Sequence, residues 1–525
     1  MSEDPQSPPA ESSAPESVRV SVVVPVFNPN EAFDQLISSL DRQTLDRTQF
    51  EVLLCDDGSD EKTRKRLAEV ESTRPYVRVL YLPHSGWPGT PRNEGVAAAR
   101  GRYVQFVDQD DWLFESALEA LCDYADEHGS DVVVGKEVGI GRPLPRRIYR
   151  RDVPNAQLGE DPLLEMLTPH KMFRTAFLRE KGVRFPDGKV RLEDHLFVMR
   201  AYFEARTISI LGSVPCYAWV KRSGSASSAR IDPESYFPHL EAVLDLVEQY
   251  TEPGRLRDRL LRHWFRGKIL KRVSGKRMVA YPAEYRNRLL DAVIPIVQRR
   301  FGPGVDAGLA FPQRIRAALL RADRRAELVT FARFEKEMDC RVTVTSASWS
   351  RGGGLRLALR VAIMRDGREA LTFDDGALTS LPVAFDGLPT GLLNAGRELQ
   401  NDRIELVVPG EGDSVRHVTS ASLRKRSTTT VAIDPLRVFG PDDESREARI
   451  IAKVRRAGWT FDVPLTADAA TLAGAGRSPL LAGRTCTPVA TSGGAVELRR
   501  VWPGGRLKDV AGRAVRRIRS GLRKR

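Results

Sequence analysis

Short apolar strands alternate with helical patterns from residue 19 onward, and this alternation constrains the fold more than any other feature of the sequence. The run Val20–Val24 is apolar or small throughout, which is typical of a strand buried on both faces of a parallel sheet. Further strands are predicted at Phe50–Cys55, Val77–Leu82 and Tyr103–Val107, with helical patterns in between. This order predicts an open α/β sheet, in which ligands bind beyond the carboxyl ends of the strands.

Two acidic clusters follow strands of this predicted sheet. Asp56 and Asp57 end the second strand, and Asp108, Asp110 and Asp111 follow the fourth. Neighbouring carboxylates repel one another unless a cation neutralises them, and Mg²⁺ and Mn²⁺ prefer such oxygen ligands. Each cluster alone is equally compatible with a turn that caps the next helix. Their common place at the carboxyl edge of the sheet favours a site for a metal ion and a nucleotide.

The composition is that of a basic globular protein. The 525 residues carry a net charge of +13 and 41% are hydrophobic, so two to four domains are expected. No apolar run reaches the ~18 residues that a spanning helix needs. The acidic, Pro/Ser-rich start lacks the features of a secretory signal, and the five cysteines show no metal-binding spacing. We therefore expect a cytoplasmic protein without disulfides or structural zinc.

The pattern changes along the chain predict five segments. A disordered leader occupies 1–18 and the α/β domain occupies 19–230. Apolar residues at helical spacing predict a helical connector over 231–335. Short alternating strands over 336–505, separated by Gly/Asp turns, predict a β-sandwich region of one or two immunoglobulin-like modules. The last segment, 506–525, is a basic tail.

The basic tail has nine Lys or Arg residues and one acidic residue. Apolar residues recur within it at every fourth position, as in a basic amphipathic helix on an anionic membrane, so peripheral contact with the inner face of the membrane is one interpretation. A solvated tail is the other. Nucleic acid is not an expected partner, because no aromatic stacking platform accompanies the charge.

Four sequence motifs, in this order, resemble the family 2 glycosyltransferases of the GT-A fold. The motifs are Val22–Asn28, Asp56–Ser59, Arg92–Gly95 and Asp108–Asp111. The resemblance covers residues 19–228 and implies a Rossmann-like domain that binds a nucleotide sugar. It also implies a UDP-sugar donor and a single displacement that inverts the anomeric carbon.

The resemblance implies a nucleotide site in the first half of this domain. Pro25 and Phe27 would line the uracil pocket, and Asp57 would hydrogen-bond the base. His84 and Arg92 would lie near the nucleotide. An ordinary loop residue and a solvent-facing helix residue are the alternative interpretations of these two.

The resemblance also implies a diphosphate and metal site. Asp108 and Asp110 form the family's acidic pair, with Asp108 at the nucleotide sugar, Asp110 as ligand of Mn²⁺ or Mg²⁺, and Asp111 as the neighbouring candidate ligand. A metal ion there neutralises the departing diphosphate. A segment that resembles the family's diphosphate-binding loop contributes Lys221, Arg222 and Ser225. A basic surface loop is the alternative for the two cations.

Inversion needs a general base opposite the leaving group. The pair Glu193 and Asp194 resembles the family's acidic motif, so Asp194 is the implied base and Glu193 its support. Acidic residues that merely stabilise a helix N-terminus are the alternative. His195 is chemically capable as well, but the family pattern favours Asp194.

The order of domains is similar to that of the poly(ribitol-phosphate) glycosyltransferases that decorate wall teichoic acid. In those proteins an immunoglobulin-like C-terminal part drives trimer formation. The resemblance implies a non-processive hexosyl- or N-acetylhexosaminyltransferase, an anionic polyol-phosphate acceptor and a homotrimer. The alternatives are a family 2 transferase for a capsular, lipid-linked or protein acceptor, and a non-catalytic carbohydrate-binding scaffold.

Overall fold

The computed structural model describes residues 18–222, 230–381, 387–389, 391–410, 415–423, 427–439, 445–481 and 483–501. Nearly all of the predicted leader, Ser225 and the basic tail lie outside these residues. The chain divides into two compact units, within residues 1–264 and 265–525. The division falls inside the predicted helical connector, and the predicted domain bounds stay a prediction. Within the described ranges, no helix has the length and apolar character needed to cross a membrane.

An eight-stranded mixed sheet forms the centre of the first unit, with the order β3-β2-β1-β4-β7-β6-β8-β5. Its strands are β1 Val20–Val26, β2 Phe50–Asp56, β3 Val77–Tyr81, β4 Tyr103–Phe106, β5 Trp112–Leu113, β6 Val132–Ile140, β7 Met172–Arg174 and β8 Ile208–Val220. Strand β1 pairs in parallel with β2 and β4. The short strands β5 and β7 pair antiparallel with their neighbours. The predicted α/β sheet is thereby confirmed.

Helices lie between many of these strands, and others follow the last strand. They are α1 Ala32–Asp41, α2 Glu61–Thr73, α3 Gly89–Ala98, α4 Ala117–His128, α5 Thr175–Glu180, α6 Glu193–Glu204, α7 Pro233–Tyr250 and α8 Arg255–Trp264. Local sequence sets several of their ends. The side chain of Asp60 accepts the N–H of Thr63 and caps α2, and α4 ends at Gly129 in a left-handed conformation (φ 59°).

Four phenylalanines fix α6 against the sheet. Phe197 of α6 stacks on Phe185 with ring centroids 3.9 Å apart, and its ring lies 5.2 Å from Phe173 of β7. Phe106, at the end of β4, packs edge-on against all three other rings. Because this cluster is fully buried, the first turn of α6 is held near the carboxyl end of β4 and the amino end of β7.

The second unit begins with helices and continues into a β-rich region, as expected from the sequence. Its helices are α9 Gly275–Ala280, α10 Ala283–Arg300, α11 Pro303–Asp306, α12 Phe311–Arg321, α13 Arg325–Glu337, α14 Gly396–Gln400, α15 Pro435–Phe439 and α16 Ala469–Ala473. Its strands are β9 Asp339–Trp349, β10 Leu355–Arg365, β11 Arg368–Glu369, β12 Phe373–Asp374, β13 Ala377–Leu378, β14 Arg403–Pro409, β15 Val415–Ser422, β16 Thr428–Ile433, β17 Glu447–Arg449, β18 Ile451–Arg456, β19 Trp459–Thr466, β20 Thr485–Ala490 and β21 Val496–Val501.

The described strands of this region form two main sheets. One has the order β11-β10-β9-β19-β18-β14-β15, with β16 paired to β10, and the other is the three-stranded sheet β17-β21-β20. A buried ion pair joins the helices to the larger sheet. Glu335 of α13 pairs with Arg316 of α12 and accepts hydrogen bonds from the Trp459 indole (3.0 Å) and the Gly275 N–H (3.0 Å). The helices and strands of this unit therefore share one core.

Candidate active site

Three neighbouring strand ends bring the predicted nucleotide residues to one edge of the sheet. Phe27 follows β1, Asp57 follows β2 and Asp108 lies just beyond β4. Gln109 ties two of these loops together: its Oε1 accepts the N–H of Phe27 (2.8 Å) and its Nε2 donates to the Phe27 carbonyl (3.1 Å). Parallel pairing of the strands explains the convergence, since their carboxyl ends lie side by side.

An aromatic stack lies at the predicted base site. The ring of Phe27 is 43% exposed and stacks on His84 with centroids 4.5 Å apart. Pro25, at the end of β1, is half-buried. The Asp57 carboxylate is buried and accepts hydrogen bonds from the Ser85 N–H (2.8 Å), the Ser85 hydroxyl (2.6 Å) and the Gly86 N–H (3.0 Å). Asp57 therefore organises the loop that presents His84, and Phe27 offers an open ring face for a base.

Asp108 lies between two cations. One of its oxygens accepts from Arg92 Nη2 (2.6 Å) and the other faces His170 Nε2 (3.2 Å). Burial would raise the pKa of Asp108, but the charges of Arg92 and His170 outweigh it and hold that pKa well below its usual range. Arg92 itself is buried, with 4% of its surface exposed, so it does not face solvent on its helix.

Asp110 and Asp111 occupy different environments in the same turn. Asp111 is buried and accepts hydrogen bonds from the Tyr217 hydroxyl (2.7 Å) and the Val220 N–H (2.8 Å). Burial raises the pKa of Asp111 to about 7, although the charge of His170 opposes the shift. Asp110 is half-buried, and burial together with the charge of Asp108 raises the pKa of its carboxyl. Its carbonyl accepts from Arg222 Nη2 (3.0 Å).

His170 and Glu137 complete this cluster, and the sequence analysis did not identify either residue. His170 Nδ1 lies 3.2 Å from Glu137, and its ring stacks on Tyr217 at 4.0 Å. Burial lowers the pKa of His170, but the charges of Glu137 and Asp108 outweigh this and raise it to about 9. No spacing relates these positions along the chain. The only sequence signals are the polar residue Glu137 inside the apolar strand β6 and the polar pair that precedes β7.

The acidic turn fits a divalent cation. Carboxylate oxygens of Asp108 and Asp111 and a ring nitrogen of His170 lie within 4.8 Å of one another. Burial and the charge of Asp108 raise the pKa values of Asp110 and Asp111. A bound cation would oppose both effects by stabilising the ionised carboxylates. Carboxylate oxygens suit Mn²⁺ and Mg²⁺, whereas the His170 ring is charged and bonded through both nitrogens to Glu137 and Asp108. Asp110, the predicted ligand, belongs to the same turn but not to this group of three.

The predicted acidic pair begins α6. Leu192 precedes it in a left-handed conformation (φ 63°), and Asp194 Oδ1 accepts the N–H of His195 (2.8 Å). Burial and the charge of Asp194 raise the pKa of Glu193 to about 7, and the charge of Arg92 opposes this. Arg92 thus interacts with both Asp108 and Glu193, which links the first turn of α6 to the acidic turn after β4.

The other predicted residues lie around this centre. His195 Nδ1 accepts a hydrogen bond from the Trp264 indole (3.1 Å). Lys221 directly follows β8 and is exposed, and Arg222 is half-buried beside the acidic turn. Ser225 lies outside the described residues. The roles of these residues stay a prediction.

Comparisons with known proteins confirm the resemblance on which the site assignment depends. Residues 21–192 match the family model described as glycosyl transferase family 2, and residues 233–332 match the glycosyl transferase TarS linker domain. The chain is 35% identical over 229 residues to the poly(ribitol-phosphate) beta-N-acetylglucosaminyltransferase TarS of Staphylococcus aureus (strain Mu50 / ATCC 700699), with 43% of this chain and 40% of that protein covered. It is 31% identical over 234 residues to a poly(ribitol-phosphate) beta-glucosyltransferase of Bacillus spizizenii, with 44% and 37% covered.

Solved structures support the fold over a longer stretch. The structure of S. aureus TarS 1-349 in complex with UDP-GlcNAc aligns with a TM-score of 0.55 and 26% identity, covering 68% of this chain and all of that one (100%). The structure of S. aureus TarS covers 92% of this chain and 85% of that one at 20% identity and a TM-score of 0.55, a likeness of fold alone. By sequence, the chain spans about two fifths of the length of the curated relatives it matches. Residues 21–192 are thus similar to family 2 glycosyltransferase domains, and the solved structures support the GT-A fold.

Proposed function

We propose, from the family 2 glycosyltransferase domain at residues 21–192, that this protein transfers a sugar from a UDP-sugar to a hydroxyl of an anionic polyol-phosphate polymer of the teichoic acid type. The transfer inverts the anomeric carbon and is non-processive. The observation that carries the proposal is the ion pair of Arg92 with Asp108 (2.6 Å), since the charge of Arg92 also opposes the rise in the pKa of Glu193. This supports a donor-binding carboxylate and a candidate base that act at one site.

The nucleotide binds at the aromatic stack in this proposal. Phe27 offers its exposed face to the base, and Pro25 lies beside it on β1. Asp57 holds the loop with His84 in place and is the candidate acceptor for a base N–H. Arg222 and Lys221, which lie past the end of β8, donate hydrogen bonds to the diphosphate, as does Ser225.

Asp110 and Asp111, with Asp108 beside them, are the residues that would hold Mn²⁺ or Mg²⁺. When bound, the cation neutralises charge on the departing diphosphate. Neighbouring protein groups set the charge and the orientation of these carboxylates. Arg92 and His170 keep Asp108 ionised, and Tyr217 and the Val220 N–H fix the orientation of Asp111.

Asp194 acts as the general base. Its carboxylate takes the proton of the acceptor hydroxyl as that oxygen forms a bond to the anomeric carbon. The bond between that carbon and the diphosphate oxygen breaks at the same time, and UDP leaves with the electron pair. Glu193, the residue before Asp194, orients the acceptor with its own carboxyl group. Since attack and departure occur on opposite faces, one displacement gives inversion.

The acceptor class follows from the relatives and the charge of the chain. The two curated relatives are named as poly(ribitol-phosphate) transferases. A chain of net charge +13 attracts an anionic polyol-phosphate polymer over long range. In the same proposal the protein works at the cytoplasmic face of the membrane and assembles as a homotrimer. Light scattering of the full chain tests the assembly, and a monomer would refute that part.

A UDP-release assay of the purified full chain tests the activity. We expect release only with a UDP-sugar, a polyol-phosphate polymer and Mn²⁺ together, and a loss of about 10²–10⁴-fold in Asp194→Ala. Chelation should abolish turnover, and Mn²⁺ should restore it. Equal rates in the native chain, the chelated sample and Asp194→Ala would refute catalysis at this site. Activity with a capsular, lipid-linked or protein acceptor alone would refute the acceptor class while leaving the transferase intact.

A further inference from the structure

Residues 142–151, which lie between β6 and β7, carry five arginines and no acidic residue, and the mechanism above does not use them. The arginines of this arginine segment are Arg142, Arg146, Arg147, Arg150 and Arg151. Arg142 is half-buried and the other four are exposed, and Arg147 pairs with a neighbouring carboxylate (2.8 Å). So dense a strip of one sign of charge attracts anionic ligands.

The arginine segment runs beside β8 in the opposite direction. Just after the segment, Val153 forms an antiparallel bridge to Ile210 near the start of β8. At the other end of the segment, the guanidinium of Arg142 lies 3.7 Å from the ring centroid of Trp219, near the end of β8. At ~3.3 Å per residue of strand, the segment follows β8 over roughly 30 Å.

Buried contacts fix the backbone of the arginine segment. Ile148 and Tyr149, in its middle, are 2% and 9% exposed. Asp152, which follows the segment, accepts hydrogen bonds from the N–H groups of Gly212 (2.7 Å) and Ser213 (2.8 Å) on β8. The exposed arginines on both sides of the buried pair are thus carried by a well-anchored backbone and reach solvent with their charged ends.

One end of the arginine segment meets the candidate active site. The Trp219 ring that lies under Arg142 packs edge-on against His170, with centroids 5.6 Å apart. His170 Nε2 in turn lies 3.2 Å from Asp108. The N–H of Lys221 donates to the carbonyl of Ile140, two residues before Arg142, at 2.9 Å. A ligand that extends along the segment therefore leads away from the site where the sugar is transferred.

The length of the arginine segment indicates the kind of ligand. A line of cations roughly 30 Å long extends far beyond one diphosphate, but it suits a linear polymer in which negative charges recur. Guanidinium groups donate paired hydrogen bonds to phosphate oxygens. Nucleic acid fits less well, because the aromatic ring of the segment, Tyr149, is buried and offers no face on which a base could stack.

We propose that the arginine segment binds successive phosphodiester groups of the acceptor polymer, outside the unit that receives the sugar. This inference rests on the proposed function, which supplies the acceptor class, and adds the surface that holds the acceptor. It assigns to the exposed arginines an effect on polymer binding and none on donor binding or on the chemical step.

The double variant Arg150→Gln/Arg151→Gln in the full chain tests the proposal. Both side chains are exposed, so the fold should tolerate the change. The Kd of a fluorescent poly(ribitol phosphate), measured by anisotropy at low salt without donor, should rise about three- to tenfold, as expected for the loss of two surface charge pairs. The kcat and the Kd of UDP with Mn²⁺ should change less than about twofold.

Arg47→Gln/Arg102→Gln is the matched control for net charge. These two arginines are also exposed, and they lie just before the parallel strands β2 and β4, at the edge of the sheet opposite the candidate site. The control should leave the Kd of the polymer unchanged. An equal loss in both double variants would show a response to overall charge alone and would overturn the proposal.

The length of the acceptor provides a second test. A single polyol-phosphate unit in the active site does not reach the far end of the arginine segment, so Arg150→Gln/Arg151→Gln should leave its KM unchanged while the KM of the polymer rises. Equal losses for the single unit and the polymer would overturn the proposal, as would a native Kd for the polymer. A parallel rise in the Kd of UDP would assign the arginines to the donor and overturn it as well.

The two hypotheses fail in different ways. Native transfer and native polymer binding by Arg150→Gln/Arg151→Gln overturn the role of the arginine segment alone. Polymer binding that depends on these arginines, without transfer from any UDP-sugar, supports the segment and overturns the proposed reaction. The absence of both transfer and polymer binding in the native chain overturns the proposed function and this inference with it.

Discussion

The like-charged pair at the start of α6 should make the protein less stable at alkaline pH, and Glu193→Gln should remove that effect. The carboxyl of Glu193 ionises freely in the unfolded chain near its ordinary pKa of 4.5, but burial and Asp194 raise its pKa in the folded state to about 7. The folded protein therefore holds the proton more tightly than the unfolded chain. The stabilisation from this group is complete below pH 4.5 and is lost as the pH rises through 7.

The size of the effect follows from the two pKa values. The pKa of Glu193 is roughly 2.5 higher in the folded state, and at 1.36 kcal/mol per pKa unit this corresponds to about 3 kcal/mol in the free energy of unfolding. About 2 kcal/mol of this is lost between pH 5 and pH 8 once partial solvent screening is allowed for. Calorimetric unfolding of the full chain at both pH values measures it. Over this pH range the free energy of unfolding should fall by about 2 kcal/mol more in the native chain than in Glu193→Gln. Glu180→Gln, an exposed carboxyl at the end of α5, is the control.

An equal pH dependence in the native chain and Glu193→Gln would refute the reasoning. It would mean that Glu193 and Asp194 do not compete for a proton in the folded state. Asp194→Asn provides a second check, because it removes the repulsion but leaves Glu193 buried. It should flatten the pH profile in part, and Glu193→Gln should flatten it more.

Three further results are expected from single substitutions. Phe27→Ala removes an exposed stacking surface, so the KM for the UDP-sugar should rise about five- to tenfold while the unfolding temperature is unchanged; an unchanged KM would exclude the base site. Phe197→Ala deletes a fully buried ring, and its cost of about 3–5 kcal/mol, measured by calorimetry, should be confined to the transition of the first unit. Arg316→Met leaves Glu335 buried without its cation, which should lower the free energy of unfolding of the second unit alone by about 3–5 kcal/mol. A loss of stability in the first unit instead would contradict the division of the chain.

Much of the sheet in the first unit could be predicted from local sequence patterns. Buried apolar strands and the helices between them were predicted because a parallel sheet covered on both faces requires continuous apolar runs. The acidic turn after β4 was predicted to lie near Phe27 and Asp57, since parallel strands end at a common edge. The partners and the burial of individual side chains at that edge could not be predicted. Asp57 accepts hydrogen bonds from Ser85 and Gly86 in the loop after β3, and Arg92 is buried rather than exposed.

The amino-acid sequence by itself determined which segments become strands, which turns carry carboxylates, and which family pattern these turns match. Tertiary structure alone decided that His170 bridges Glu137 and Asp108, and that Lys171 is fully buried. His170 and Asp108 are 62 positions apart, and their meeting depends on the antiparallel insertion of β7 between β4 and β6. Periodicity reports only which face of a strand or helix is buried. The sign and strength of an interaction between distant charges depend on separation and burial, which exist only once the chain has folded.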